Sequence, residues 1–435
     1  MTRTLLLSIY LLNGHLNADF MNNWPQWRGP LGTGEAPRST PPTTWSETEN
    51  IRWKTPIQGK GHASPIVWND HIFLTSTDPN GEKLGPPLPQ PKGAPNNLDA
   101  QRKHQFIVIA LSRKTGKILW ETTVRNSRPH GSTHESGTWA SASPVTDGKH
   151  VYAFFGSNGI YCLDFNGRVK WEKDLGDMIV KHGHGEGASP ALSKDALIVN
   201  WDHEGDSFIV ALNKRDGSEL WRKGRDEVTS WATPIVINEG KHEQVVVCGT
   251  NAIRSYDIRT GETIWSCRGL SNNVVASPVY SNGILFAGSS YDTRKMMAIR
   301  IREAKGDLTQ TDRILWESQF RPPYVPSPLL VDNTLYYLRH YQNILTRRQA
   351  DTGKETSGPF RLAGLLNIYA SPVAANGNIY ITDQQGNTLV IDHKNPRPLR
   401  VNQLSEGINA SAAMAGKDLL LRGTRHLYCI SQREE

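Results

Sequence analysis

Long apolar runs are missing from this chain of 435 residues. The longest candidate, Leu5 to Leu12, is too short to cross a bilayer, so a transmembrane segment is excluded from the reading. Concentrated charge is missing too. Lys+Arg number 49 against 42 Asp+Glu, and the basic residues fall as scattered pairs such as Arg102-Lys103 and Arg347-Arg348. A nucleic-acid partner needs a basic stripe, so none is expected. There is no Gly-x-Ser-x-Gly nucleophile turn, no phosphate-cradling P-loop and no His-Glu-x-x-His run, which leaves no ready-made catalytic motif.

What the chain does have is glycine (38), proline (26) and a short N-terminal apolar stretch. Arg3, Leu5 to Leu12 and the small residue Ala18 read as a signal peptide over residues 1–18, with a buried first strand as the alternative. The protein is therefore expected to be exported, periplasmic or secreted. Residues 19–45 read as an N-terminal arm.

The dominant signal is a repeat. A small-Ser/Thr-Pro signature recurs at Ala63-Ser64-Pro65, Ala142-Ser143-Pro144, Ala188-Ser189-Pro190, Ala232-Thr233-Pro234, Ala276-Ser277-Pro278, Pro326-Ser327-Pro328 and Ala370-Ser371-Pro372, with a proline-less copy at Ala410-Ser411-Ala412. From Ser64 to Ser411 the steps are 79, 46, 44, 44, 50, 44 and 40 residues. A period near 44 is one four-stranded propeller blade. Within each copy, turns such as Asp147-Gly148, Asn282-Gly283 and Asn376-Gly377 separate two apolar runs, as hairpins require. Four units then close with a glycine turn and a tryptophan four residues on: Gly116 and Trp120, Gly167 and Trp171, Gly217 and Trp221, Gly261 and Trp265. The expectation is an all-β, eight-bladed β-propeller over residues 46–435, with a Pro/Gly-rich insertion at 77–103 in the first blade. Ile51 to Lys54 looks like a fourth strand without a blade, and the last repeat ends with three strands. The N-terminal strand should therefore complete the last blade, hiding the open edge.

The repeat also disposes of the cysteines. Cys162 and Cys429 take the same place in distant blades. Cys248 and Cys267 fall on the second and fourth strands of one blade, beyond disulfide reach. Four buried, unpaired thiols are expected.

The Ala-Ser-Pro start, the Tyr161-Cys162-Leu163-Asp164 third strand and the Thr115-Gly116-Lys117-x-x-Trp120 close resemble the pyrroloquinoline-quinone (PQQ) repeat. The Trp24-Pro25-Gln26-Trp27-Arg28-Gly29-Pro30 arm is similar to the start of exported PQQ-like propellers of bacteria. That family includes the propeller of the outer-membrane barrel-assembly machine and the quinoprotein alcohol dehydrogenases. The resemblance implies the fold; the repeated residues are structural and carry little about function. The dehydrogenases place an adjacent cysteine pair beside the quinone, and this chain has no Cys-Cys. No cofactor is therefore assigned. The expected role is a non-enzymatic binding or scaffolding module for a protein or polysaccharide, acting as a monomer, with PQQ-dependent oxidation as the alternative.

Candidate ligand residues come from one end of a propeller, where blade-to-blade loops and second-to-third-strand loops meet. His62 precedes the first blade. His130, His134, Glu135 and Trp139 precede the second, and His182, His184 and Glu186 the third. Trp201, Asp202 and His203 fall in a second-to-third loop, and Trp231 precedes the fourth blade. Trp139, Trp201 and Trp231 stand outside the repeat pattern and suit an exposed binding surface. His182-x-His184-x-Glu186 alternates like one side of a strand and offers imidazole and carboxylate ligands, a weaker metal reading. The plainer alternative is loop histidines bonded to backbone. The opposite sector offers Arg268, Asn272, Tyr324, Asn367 and Tyr369 as hydrogen-bonding groups.

Overall fold

A computed structural model describes residues 18–86, 96–239 and 242–432. The expected signal segment lies outside them except for Ala18.

Eight sheets of at least four antiparallel strands stand in a circle, seven of them running from innermost to outermost strand in chain order. Blades one to seven span residues 66–127, 145–173, 191–224, 235–267, 279–318, 329–361 and 373–403. The eighth takes three strands from residues 413–430 and its outermost from Ile51–Pro56. There Trp53 pairs with Cys429 and Thr55 with Leu427, so the expected closure is present.

The expected insertion needs new limits. Residues 77–80 continue the strand His71–Asn80, which pairs with Lys103–Ser112 along its whole length. The irregular segment is thus 81–102, of which 87–95 lie outside the described residues; Asn97–Leu98 pair with Thr133–His134.

Two devices explain the repeated residues. The signature Ser or Thr links neighbouring inner strands. The Ser64 amide donates to the Ser143 hydroxyl at 2.9 Å, and the same bond recurs at 2.8–3.0 Å through Ser189, Thr233, Ser277, Ser327 and Ser371 to Ser411. These amides lie where no sheet partner exists, and a buried N–H needs one. The glycine turns receive the tryptophan of the preceding blade. Trp53, Trp120, Trp171, Trp221 and Trp316 donate their indole N–H to backbone carbonyls beside those turns, at 2.7–3.0 Å. The ring lies so close that a Cβ on Gly217 would stand 2.6 Å from Trp171, and the glycine's φ of +73° favours glycine as well. Trp265 has no such turn to meet. Residues 301–313 replace it, Gly306–Asp307 adds a parallel strand outside blade four, and the Trp265 indole bonds to Gln244.

The core is divided between the seams. Separate apolar clusters join each pair of neighbours from blades one and two to blades six and seven, and one continuous cluster joins blades seven, eight and one with Trp24, Ala36 and Trp45 of the arm. All four cysteines are buried and unpaired, as expected.

The arm covers one end of the axis. Trp24 bridges to Val67, Thr33 accepts from Leu330, Gly34 and Ala36 bracket Ala374, and Thr40 donates to Gly416. From it Arg28 reaches into the axis and donates to the carbonyls of Pro372 (2.7 Å) and Pro328 (2.6 Å). Gly34 permits this approach, since a Cβ there would meet the Arg28 guanidinium at 2.2 Å.

Candidate functional site

The other end carries the loops that join one blade to the next, together with the second-to-third-strand loops. Strand direction brings the two kinds together, because first and third strands run away from this end and second and fourth strands run toward it.

Residues 132–137 lie across the axis at this end. His134 donates its amide to the His184 carbonyl (3.1 Å) before blade three. The adjoining Ser136 meets the Tyr369 hydroxyl before blade seven, and its backbone faces the His62 ring before blade one. Blades three and seven stand opposite in a ring of eight, so the segment spans the opening. Glu135 is exposed and accepts from the Asn96 side chain at 3.2 Å. His62 touches Asn409 (3.3 Å), while its Nδ1 is buried without a partner. Burial, aided by the positive Arg422, pulls its pKa down to about 4.

His134, His182 and His184 form a cluster, with ring centroids 5.1 Å apart for His134–His184 and 5.5 Å for His182–His184. The hydrogen bonds settle two tautomers. The Asn97 amide nitrogen donates to the carbonyls of His182 (2.7 Å) and Gly183 (3.0 Å), so its oxygen accepts from His184 Nδ1 at 3.2 Å. His184 Nε2 is then a lone pair. Burial, with His134 and His182 nearby, holds its pKa near 4 and keeps it neutral. His134 is the converse. Its Nδ1 accepts the Ser136 amide (3.2 Å), so the proton of the neutral ring sits on Nε2. A donor and an acceptor side by side suit a polar ligand and not a metal ion.

The expected strand-like metal set is not formed. His182 has a φ of +54° inside a tight turn, which ends the alternation. Glu186 turns instead to Ser157, accepting its amide (2.6 Å) and its hydroxyl (2.5 Å). Among the described residues no group of three His, Cys, Asp or Glu side chains is arranged to hold a metal. Burial raises the Glu186 pKa against the two Ser157 bonds. Gly156 makes room, since a Cβ there would fall 1.5 Å from Glu186 Oε2. Beside this carboxylate lies a cavity of about 50 Å³ between blades two and three, lined by His130, Trp139, Phe154, Met178 and Val180. The exposed His130 bonds to the Met178 carbonyl through Nε2 at 2.8 Å. Trp139 and Trp231 are partly exposed, and their indoles donate to Gly131 (2.9 Å) and Gly185 (2.7 Å).

Three expected ligand residues belong to the interior. Trp201 is 2% exposed, because its strand runs on to Ala196–Trp201 and the indole stacks on Phe208 at 5.6 Å. Asp202 forms a fully buried ion pair with Arg225 at 2.7 Å. His203 spends both ring nitrogens on backbone, at Ile179 and Asp206.

In the opposite sector the structure adds residues that were not singled out. Tyr324 stacks on Tyr291 (5.9 Å) and on His340 (4.4 Å), His340 abuts Tyr341, and Tyr341 stacks on Tyr369 (5.6 Å). Tyr324 also accepts from Asn273. Asn272 and Asn367 are exposed at its edges, and Arg268 is exposed at the start of the loop before blade five. Tyr291, His340 and Tyr341 lie in second-to-third loops, the same loop type that selected Trp201, and could have been found by that rule.

The exposed large apolar side chains follow a pattern. Five of them, Leu119, Val169, Leu220, Leu399 and Val401, lie on outermost strands. All the others lie at this loop end: Leu84, Leu98, Ile179, Val228, Tyr291, Phe320 and Leu366. The arm end has none among the described residues.

The quinone for which the repeat is named does not fit this end. Residues 132–137 lie across the axis, the adjacent cavity of about 50 Å³ is small for a three-ring quinone, and the Glu186 carboxylate faces it.

Comparison with known proteins gives the same fold. The chain is similar to the crystal structure of BamB from Moraxella catarrhalis, at 14% identity and a TM-score of 0.54 over 80% of this chain and 99% of that one. It is similar to quinohemoprotein alcohol dehydrogenase from Comamonas testosteroni, at 10% identity and 0.64 over 97% and 82%. A europium-containing methanol dehydrogenase gives 11% and 0.61 over 93% and 90%. At such identities these likenesses concern the fold alone. No curated protein matches the chain in sequence. A family model described as outer membrane protein assembly factor BamB matches residues 104–357, more than half of the chain, and the protein belongs to that family of PQQ-repeat propellers.

Proposed function

We propose that the protein is an exported, non-enzymatic binding or scaffolding module whose partner, a protein or a polysaccharide, docks on the loop end of the propeller. The observation that carries this reading is the placement of exposed apolar side chains: away from the outermost strands, every large one among the described residues is at that end. Grouped apolar exposure marks interaction surfaces. The family model, described as an assembly factor, supports a scaffolding role. The N-terminal residues Arg3 and Leu5 to Leu12 support export.

The test is retention on immobilised envelope proteins and polysaccharides by wild type, by Ile179→Asp/Val228→Asp, by Phe320→Asp/Leu366→Asp and by the outer-strand control Leu220→Asp. Loss in either loop-end pair with retention by the control is expected. Equal behaviour of all four would overturn the docking face. Dye reduction with an alcohol after loading with PQQ and calcium would overturn the non-enzymatic reading.

A further inference from the structure

We propose that the half of the loop end over blades five to seven binds an acidic polysaccharide, with Arg268, Arg294 and Arg339 holding its carboxylate or sulfate groups and Tyr291 and Phe320 offering ring faces to the sugars. This rests on the binding-module reading above and names the ligand class of that face.

Charge on this end is divided. The loops of blades two to four carry mainly carboxylates, among them Asp177, Glu204, Asp206 and Asp226, with Arg128, Lys181 and Arg225 as their basic members, and Lys181 reaches across to within 5.9 Å of the Tyr291 ring. The loops over blades five to seven invert this. Arg268 opens the loop before blade five, Arg294 follows the second-to-third loop of that blade, and Arg339 opens the corresponding loop of blade six. All three are exposed, and none forms an ion pair among the described residues. Their neighbours differ: Lys295 pairs with Glu317 at 2.7 Å and Arg321 with Glu355 at 2.8 Å. Three acids lie here: Asp292 accepts the backbone amides of Asn272 (2.9 Å) and Thr293 (2.8 Å), the buried Asp383 accepts those of Leu366 (3.0 Å) and Gln385 (3.0 Å), and Asp307, near Arg268, accepts the Thr309 amide (2.9 Å). The three guanidinium groups thus have no carboxylate within ion-pair distance among the described residues, with Asp307 the acid that acts on Arg268. A guanidinium matches a carboxylate or sulfate through two parallel N–H bonds, which an ammonium cannot do.

Between the arginines lies the aromatic file from Tyr291 to Tyr369. Its outer member Tyr291 is 53% exposed, and Phe320 on the next loop is 70% exposed. Arg339 adjoins His340 in the chain and Arg294 follows the loop of Tyr291, and after burial both lower the His340 pKa through their charge. Flat rings alternating with cations suit a chain that presents apolar C–H faces and repeating negative groups. An extended peptide would instead seek an open strand edge or a deep groove. The second-to-third loops of this sector are short, and the strand edges lie on the outer wall.

The test uses the full chain and equilibrium binding to polygalacturonate, dextran sulfate, a neutral galactan and poly-glutamate. Binding to an acidic polysaccharide is expected, weakening with salt as exposed charge pairs do, and absent for the galactan. Arg294→Gln/Arg339→Gln should lose roughly tenfold or more in affinity, and Tyr291→Ala should also weaken it while the Leu220→Asp control does not. Preference for polygalacturonate assigns a uronate, and preference for dextran sulfate a sulfate ester. Equal binding of poly-glutamate with no effect of Tyr291→Ala would overturn the proposal in favour of an acidic protein partner. Absence of binding to either acidic polysaccharide would overturn it outright. If a protein partner is then still lost by Ile179→Asp/Val228→Asp or by Phe320→Asp/Leu366→Asp, the docking-face reading stands without it; if both pairs are also silent, both fall.

Discussion

Replacing Gly217 by alanine tests whether the glycine turns act as seats for the tryptophan of the preceding blade. Gly217 has a φ of +73°, and its added methyl would stand 2.6 Å from Trp171. Gly377 has nearly the same backbone, at +76°, but nothing within 4 Å. Alanine in the left-handed region costs about 1–2 kcal/mol at either site, offset by about 0.4–1 kcal/mol because the unfolded chain is stiffened. Gly377→Ala should therefore lose about 0–1.6 kcal/mol. At Gly217 the methyl also displaces the indole, which adds about 1–3 kcal/mol of overpacking. Loss of the 3.0 Å bond from Trp171 to the Lys214 carbonyl adds about 1 kcal/mol. The two variants should thus differ by roughly 2–4 kcal/mol in urea-induced unfolding followed by tryptophan fluorescence. In a Trp171→Leu background the excess should vanish, since neighbouring sites are not additive. Equal losses at Gly217 and Gly377, or an excess that survives Trp171→Leu, would refute the docking argument.

Breaking the buried Asp202–Arg225 pair by Arg225→Met should cost about 3–5 kcal/mol in the same assay, with part of it regained by Asp202→Leu/Arg225→Met. His62 and His184 both hold pKa values near 4, below the ordinary 6.5, so the unfolded chain binds more protons between those values; stability should be full above pH 6.5 and fall toward pH 4, and His62→Gln/His184→Gln should flatten that slope. Glu35, raised to about 7 by burial and by Asp332, should slope the other way, losing stability as pH rises from 4.5 through 7, and Glu35→Gln should remove that loss. Thiol titration of unreduced protein should find no reactive group in the native state and four after denaturation; a count of two or none would refute the strand positions.

The circle of blades was legible because its marks are local. Asp147-Gly148 makes a hairpin wherever it occurs, and the repeated serine-proline pairs count the blades. What the serine does was not legible, since its partner lies about 44 residues away in the next blade. The site was read less well, for the opposite reason. Trp201 looks unclaimed in one dimension, yet the cross-strand ring that buries it, Phe208, is its register partner across the hairpin. His182 and His184 alternate like strand residues until a left-handed backbone at His182 turns the chain. Attention to imidazoles and carboxylates passed over Tyr291 and Tyr341, whose significance comes from stacking between blades.

The eighth blade has a kinetic consequence. Its outermost strand, Ile51–Pro56, is synthesised before every other blade strand, and its partner His426–Ile430 after them all. Contacts so distant in sequence are slow to form, because the intervening chain must lose its freedom before the pairing is rewarded. Blades one to seven can assemble from neighbouring hairpins as they emerge, but the early strand must wait with its amides and carbonyls unpaired. Until His426–Ile430 arrives the blades form an open arc with two unpaired rims, and that interval is when misassociation is easiest.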